Sequence, residues 1–158
     1  MQVRQIPMEQ LRELIDEQLA HGEALLPVTG NSMWPLLAGG RDMVRLTRLD
    51  RRVQGGDIVL YQKADGSYIL HRVIRLCAPE TCICCGDAQW EGEQVDEAQI
   101  IAYVTAFRRK GRWRETALSR PYRFYERFWV HTFPARRPLL RLLQFLQRAR
   151  RGLIRGRR

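Results

Sequence analysis

Gly55-Gly-Asp-Ile-Val-Leu-Tyr-Gln-Lys-Ala-Asp-Gly-Ser-Tyr-Ile-Leu-His-Arg-Val-Ile-Arg-Leu76 is the stretch on which the fold turns. Two runs rich in Val, Ile, Leu and Tyr flank Lys63–Ser67, which carries Asp-Gly at its centre, the chemistry of a tight hairpin turn. Gly55-Gly56 opens the first strand, over Asp57–Tyr61, and Tyr68–Leu76 returns as the second. Strand side chains alternate, so Ile69, His71 and Val73 share one face. A polar imidazole between apolar neighbours in mid-strand is the first residue that calls for a reason.

Upstream, Asp42–Leu49 alternates as a half-buried strand does, behind a Gly39-Gly40 turn. Leu25–Leu37, LLPVTGNSMWPLL, reads as an extended segment entering a turn, where Gly30 and Asn31 suit tight backbone and Pro35 prevents an immediate helix. Before it, Leu11, Leu14, Ile15 and Leu19 recur at helical spacing, and His21-Gly22 is a stop signal. Downstream, Cys82–Cys85 reads as a short strand ending at Gly86-Asp87, and Ile100–Phe107 as the last clear strand. Residues 108–115 read as a basic hairpin or linker, residues 120–130 set aromatics among arginines, and Pro138 opens a second helix. The expectation is one mainly β domain between two helices, divided as 1–24 (helix), 25–107 (catalytic-type domain) and 108–158 (basic, aromatic and amphipathic extension).

The 158 residues suffice for one core. The net charge of +10 is unevenly placed. Residues 1–107 hold 10 Lys/Arg against 15 Asp/Glu, whereas residues 108–158 hold 17 against 2. A basic end on an acidic body points to an anionic surface as a partner. No run reaches the length of about 18–20 apolar residues that crosses a bilayer, and the acidic amphipathic N-terminus has no secretory apolar region. A cytoplasmic location is expected, with peripheral contact at the membrane face. Cys77, Cys82, Cys84 and Cys85 then stand as free thiols. Their spacing lacks the second pair of a structural zinc site, so neither metal nor cofactor is expected.

Gly30-Asn-Ser-Met-Trp-Pro-Leu-Leu37 carries the chemistry. A serine hydroxyl needs a nearby base to become a nucleophile, and backbone N–H groups aimed at the developing oxyanion. Ser32, in a Gly-rich turn after an extended segment, has access to both. His71 is the candidate base. The chain has only two lysines, Lys63 beside the Asp-Gly turn and Lys110 among arginines, and neither position offers the desolvation a lysine base requires. Imidazole suits general-base work near neutrality without such help.

Four collinear blocks, GNSMWPLL, GGDIVLY, YILHRVI and CCGDAQWEGEQVD, resemble the S24/S26 peptidase group, which includes signal peptidases and LexA-type self-cleaving repressors. The resemblance covers about residues 25–106 and is nearest the histidine-type signal peptidases. It implies a LexA/signal-peptidase-like, β-barrel-like fold flanked by the N-terminal helix and the basic C-terminal helix. It also implies a serine endopeptidase acting on a leader or signal-like peptide held extended along exposed strands. Ser32 would be the nucleophile and His71 the base. Asp87, in the family's Gly-Asp position, would orient the imidazole, with Asp96 as the alternative. Asn31 and Met33 would line the oxyanion and substrate site. The chain departs from the pattern at Gly39-Gly-Arg-Asp42, at Gly30, where relatives often have a hydroxyl, and at Ala88, where they have Asn.

The tail reads as a basic amphipathic helix. Leu139, Leu142, Leu143 and Leu146 form its apolar stripe, with arginines off it. Arg141, Leu142, Phe145 and Arg148 are the residues expected at an anionic membrane, since a nucleic-acid arm has less need of an apolar face. Two other functions compete with a peptidase: a non-catalytic peptide- or membrane-binding module on the same fold, and a LexA-like regulator. The latter is poorly served by residues 1–25, which are too short for a helix-turn-helix.

Overall fold

The computed structural model describes the backbone of residues 8–77 and 79–155, and the side chains of residues 12–77 and 79–147. Helix α1 (Met8–Ala20) stops at His21-Gly22, where Gly22 takes a φ of 110° that suits glycine. Strands β1 (Ala24–Pro27), β2 (Met43–Arg48), β3 (Ile58–Gln62), β4 (Tyr68–Cys77), β5 (Thr81–Cys85), β6 (Glu93–Asp96), β7 (Ile100–Arg109) and β8 (Arg112–Glu115) follow, then α2 (Arg120–His131) and α3 (Arg136–Arg155). All pairings are antiparallel, in the order β1-β2-β7-β3-β4-β5-β6, with β8 paired to β7. The sheet curls into a half-barrel, and the protein is mainly β.

The hairpin that decided the fold forms as its sequence dictates. β3 and β4 pair with His71 opposite Val59 and Ile69 opposite Tyr61, and Gly66 in the turn has a φ of 84°. Alternation along β4 sends neighbours to opposite faces. Val73 joins Val59, Tyr61, Cys82, Cys84 and Val95 in one buried cluster. Ile58 and Leu60 join a larger one with Ile15 and Leu19 of α1, Met33, Leu37, Val44 and Phe107.

The basic region beyond Phe107 is built into this body. β7 runs on to Arg109 and turns into β8. Residues 120–131, to which the sequence pattern assigned no element, form α2. Its N-cap is Ser119, whose hydroxyl accepts from the Tyr122 N–H, and Pro121 sits in the first turn, where its missing N–H costs nothing. Tyr122 and Trp129 are buried beneath it. The helix expected from Pro138 begins at Arg136, which is itself buried, as is Leu140. Leu139 and Leu143 are half-buried, whereas Leu142, Phe145 and Leu146 are exposed by more than half. Arg141 is exposed, and the side chain of Arg148 lies outside the described residues. No described helix is long and apolar enough to cross a membrane.

Candidate active site

Ser32 sits in the turn between β1 and β2, and local contacts fix that turn tightly. The Asn31 carbonyl accepts from the Trp34 N–H, and the Asn31 side-chain oxygen accepts from the Gly39 N–H. Asp42, almost fully buried, accepts from the Ala38 N–H and pairs with Arg41. Its carbonyl and the Val28 carbonyl accept from Val28 N–H and Gly40 N–H, closing the loop at its base. Met33, Leu36 and Leu37 anchor the turn in the core. The Met33 side chain is 1% exposed and anchors the turn, though the residue also lines the groove that holds Ser32 and His71, while the Asn31 side-chain oxygen is engaged by Gly39. The Ser32 N–H donates to no acceptor among the described residues.

The Gly86–Ala88 loop lies against this turn. The Ala88 N–H donates to the Ser32 carbonyl at 2.7 Å. A Cβ on Gly86 would fall 2.6 Å from the Ser32 carbonyl oxygen and 3.1 Å from His71 Nε2, so Gly86 is wedged between the Ser32 backbone and the imidazole. Only a residue without a side chain allows that approach. Ser32 and His71 line one groove of about 1420 Å³, whose wall includes Leu25–Val28 of the β1 edge. Among the described residues the Ser32 hydroxyl makes no hydrogen bond to His71; what they share is a common opening.

His71 is 7% exposed. Its Nδ1 lies 3.2 Å from the Tyr61 hydroxyl, and that hydroxyl donates to Glu93 Oε1 in turn. Glu93 Oε1 is 3.8 Å from Nδ1, and Glu93 Oε2 pairs with Lys63 Nζ at 2.6 Å. The Tyr61 proton is committed to Glu93, so the Tyr61 oxygen acts as acceptor and Nδ1 carries the imidazole proton. Nε2, on the Gly86 side, is left with its lone pair, the tautomer a general base requires. Burial lowers the His71 pKa from its ordinary value, against the opposing pull of Glu93 and Asp87. Burial tends to raise that of Glu93, but its bonds from Lys63 and Tyr61 prevail and hold it low. Burial and the bond to Glu93 keep the Tyr61 hydroxyl protonated.

Asp87 does other work than the resemblance implied. Arg72 grips it with both arms of its guanidinium, at 2.8 and 2.9 Å, and neither side chain is exposed. The Tyr125 hydroxyl donates to the same carboxylate, and the Trp129 indole to the Asp87 carbonyl. Arg72 also donates to the Gly56 carbonyl. Asp87 thus fastens β4, the Gly86 loop and α2 to one another, and no bond joins it to His71. Asp96 lies opposite Thr81, which itself pairs with Cys77 at the far end of β4. That is six residues, or roughly 20 Å along a strand, from His71. The nearest acid to Nδ1 is Glu93, which the sequence reading passed over. Its only signal was the acid-rich stretch Glu91-Gly-Glu-Gln-Val-Asp96 on an unrecognised strand.

Arg136 completes the loop's support, donating to the Gly86 and Gln89 carbonyls and to the Trp129 carbonyl. Cys82, Cys84 and Cys85 are buried strand residues with free thiols, and Cys77 is half-buried. Burial pushes the Cys85 thiol up to about 11, which makes it a poor nucleophile near neutrality. No protein-family model and no curated protein matches this chain.

Proposed function

We propose that this chain is a serine endopeptidase of the S24/S26 kind, with a LexA/signal-peptidase-like barrel, cleaving a leader or signal-like peptide. One observation supports the reading: Ser32 and His71 line the same groove, and Gly86 packs against both the Ser32 carbonyl and His71 Nε2, the nitrogen that the Tyr61–Glu93 pairing leaves without a proton. A peptide laid along the outer edge of β1 carries its carbonyl past Ser32; the Leu25 N–H there is taken by the Gln18 side chain and Pro27 has none, so the strand offers it carbonyl acceptors. Ser32 Oγ attacks that carbonyl, Nε2 takes the hydroxyl proton, and the Ser32 N–H receives the oxyanion. Tyr61 and Glu93 stabilise the imidazolium, which returns its proton to the leaving amine. Water then hydrolyses the acyl-enzyme by the same base. The exposed Leu142, Phe145 and Leu146 of α3, among arginines, would hold the enzyme peripherally at an anionic membrane.

A serine-directed phosphonate tests the chemistry. Wild type is expected to label at Ser32, with Ser32→Ala unlabelled and His71→Ala slowed by about a thousandfold or more. Equal labelling of all three proteins would leave only a binding module on this fold.

A further inference from the structure

A second concavity, of about 440 Å³, opens on another part of the molecule. Leu36, Phe107 and Pro121 supply apolar surface there, and Arg109, Lys110, Arg112 and Arg114 supply its charge. No carboxylate lines it. Elsewhere several cations are paired: Arg12, Arg41, Arg45, Arg51, Arg72 and Arg137 each meet an acid, though other exposed arginines such as Arg120 and Arg123 do not. Among the described residues none of the four around this concavity does so.

The backbone brings these charges together at a cost. β7 and β8 pair with Arg109 directly opposite Arg112 and Phe107 opposite Arg114, which sets three guanidiniums on one face of the hairpin. Like charges directly opposite across a strand pair are destabilising. The turn between the strands has Lys110 at φ 51° and Gly111 at φ 79°. Asn, Asp or Gly suits the first of these positions, and a lysine held there is strained. An anion in the concavity would offset the repulsion between the paired guanidiniums.

We infer that this concavity is a binding site for a phosphate monoester on an apolar stem. A single carboxylate would leave most of four positive charges unopposed, whereas a phosphate monoester carries about −1.5 to −2 near neutrality. Guanidinium forks match its oxygens in pairs. The apolar surface accepts the stem, and the volume is that of a small-molecule pocket rather than a nucleic-acid groove. Such a group comes either from a soluble phosphate ester or from the headgroup of phosphatidic acid in a membrane. The site is independent of Ser32 and His71.

The test uses the full chain, with glycerol 3-phosphate in solution and, separately, phosphatidylcholine vesicles doped with phosphatidic acid. Arg112→Gln/Arg114→Gln is expected to weaken binding by more than about tenfold. The control, Arg120→Gln/Arg123→Gln, removes the same charge from the exposed surface of α2 and should lose much less. Binding of glycerol 3-phosphate identifies a soluble ester, and binding of vesicles alone identifies the lipid headgroup. Relief of the Arg109/Arg112 repulsion should also leave the unliganded Arg112→Gln/Arg114→Gln protein with an unchanged or higher Tm, so lost binding is separable from lost fold. Failure of both probes to bind wild type, or equal losses in the two double variants, would overturn the inference.

Discussion

Arg72 and His71 are neighbours on β4, yet they stand in opposite kinds of surroundings. Arg72 faces a sealed network in which Asp87, Tyr122 and the Gly56 carbonyl take its donors and Tyr125 donates to Asp87, with no exposed surface on either charge of the pair. His71 faces a network that runs outward, through Tyr61 to half-buried Glu93 and exposed Lys63, and whose inner end opens on a groove. A network that is closed and dry has one protonation state and acts as a fastening. A network with one free lone pair and a path to solvent is able to take and release a proton. One strand serves both because alternation puts successive residues on different faces.

The sharpest way to break the dry side is Asp87→Ala. It leaves the Arg72 guanidinium in the interior without its counter-charge, with only the Gly56 carbonyl and Tyr122 hydroxyl to bond, and such a loss costs about 3–5 kcal/mol. Urea unfolding should show this as a large fall in the midpoint with little change in slope. The fall should be accompanied by loosening of α2, since Tyr125 loses its bond to the carboxylate, while the Trp129 indole keeps the backbone carbonyl of residue 87. A loss below about 1 kcal/mol, with activity abolished, would instead return Asp87 to the role of orienting the imidazole.

Gly86→Ala acts at the boundary between the two networks. The new methyl group must displace the Ser32 carbonyl and the Gln89 side chain and crowds the imidazole, and overpacking of this kind costs about 1–3 kcal/mol. The expected signature is a loss of phosphonate labelling out of proportion to the loss of stability, because the atoms that must move are those of the site. Labelling that falls only as far as the folded fraction does would remove Gly86 from the argument.

These contrasts explain how much the sequence made legible. Strand periodicity and the Asp65-Gly66 turn were enough for β3, β4 and the larger β architecture, because local turn chemistry and alternation decide a hairpin. The turn around Ser32 was legible for the same reason: Gly30, Asn31 and Pro35 announce it. Three things were not. Helix α2 was hidden because its aromatics have middling helix propensity, and its stability comes from burying Tyr122 and Trp129. β6 is four residues long and bears acids, so nothing in its pattern marks a strand. Without β6, Glu93 had no place near His71, and Asp87 was the natural choice from the Gly-Asp block. The partners of a carboxylate are set by tertiary contacts, here Arg72 fifteen residues earlier and Tyr125 thirty-eight later.

The smallest expected effect lies at the wet end, and it tests whether the Glu93 path reaches His71 at all. Lys63 is exposed, and its charge disfavours the imidazolium while its bond to Glu93 holds part of that acid's charge in check. Lys63→Met removes a positive charge and frees the Glu93 carboxylate. Both changes favour the protonated imidazole, so they raise the His71 pKa in the same direction. A base works only when neutral. The acid limb of the labelling rate against pH should therefore lie below the ordinary histidine value of 6.5 in wild type and move upwards in Lys63→Met. The plateau at higher pH should be nearly unchanged. Screening weakens interactions between exposed charges, so added salt should shrink the difference between the two profiles. A shift to lower pH would mean that the imidazole takes its charge environment from elsewhere, and the division of β4 into a dry face and a wet one would lose its electrostatic basis.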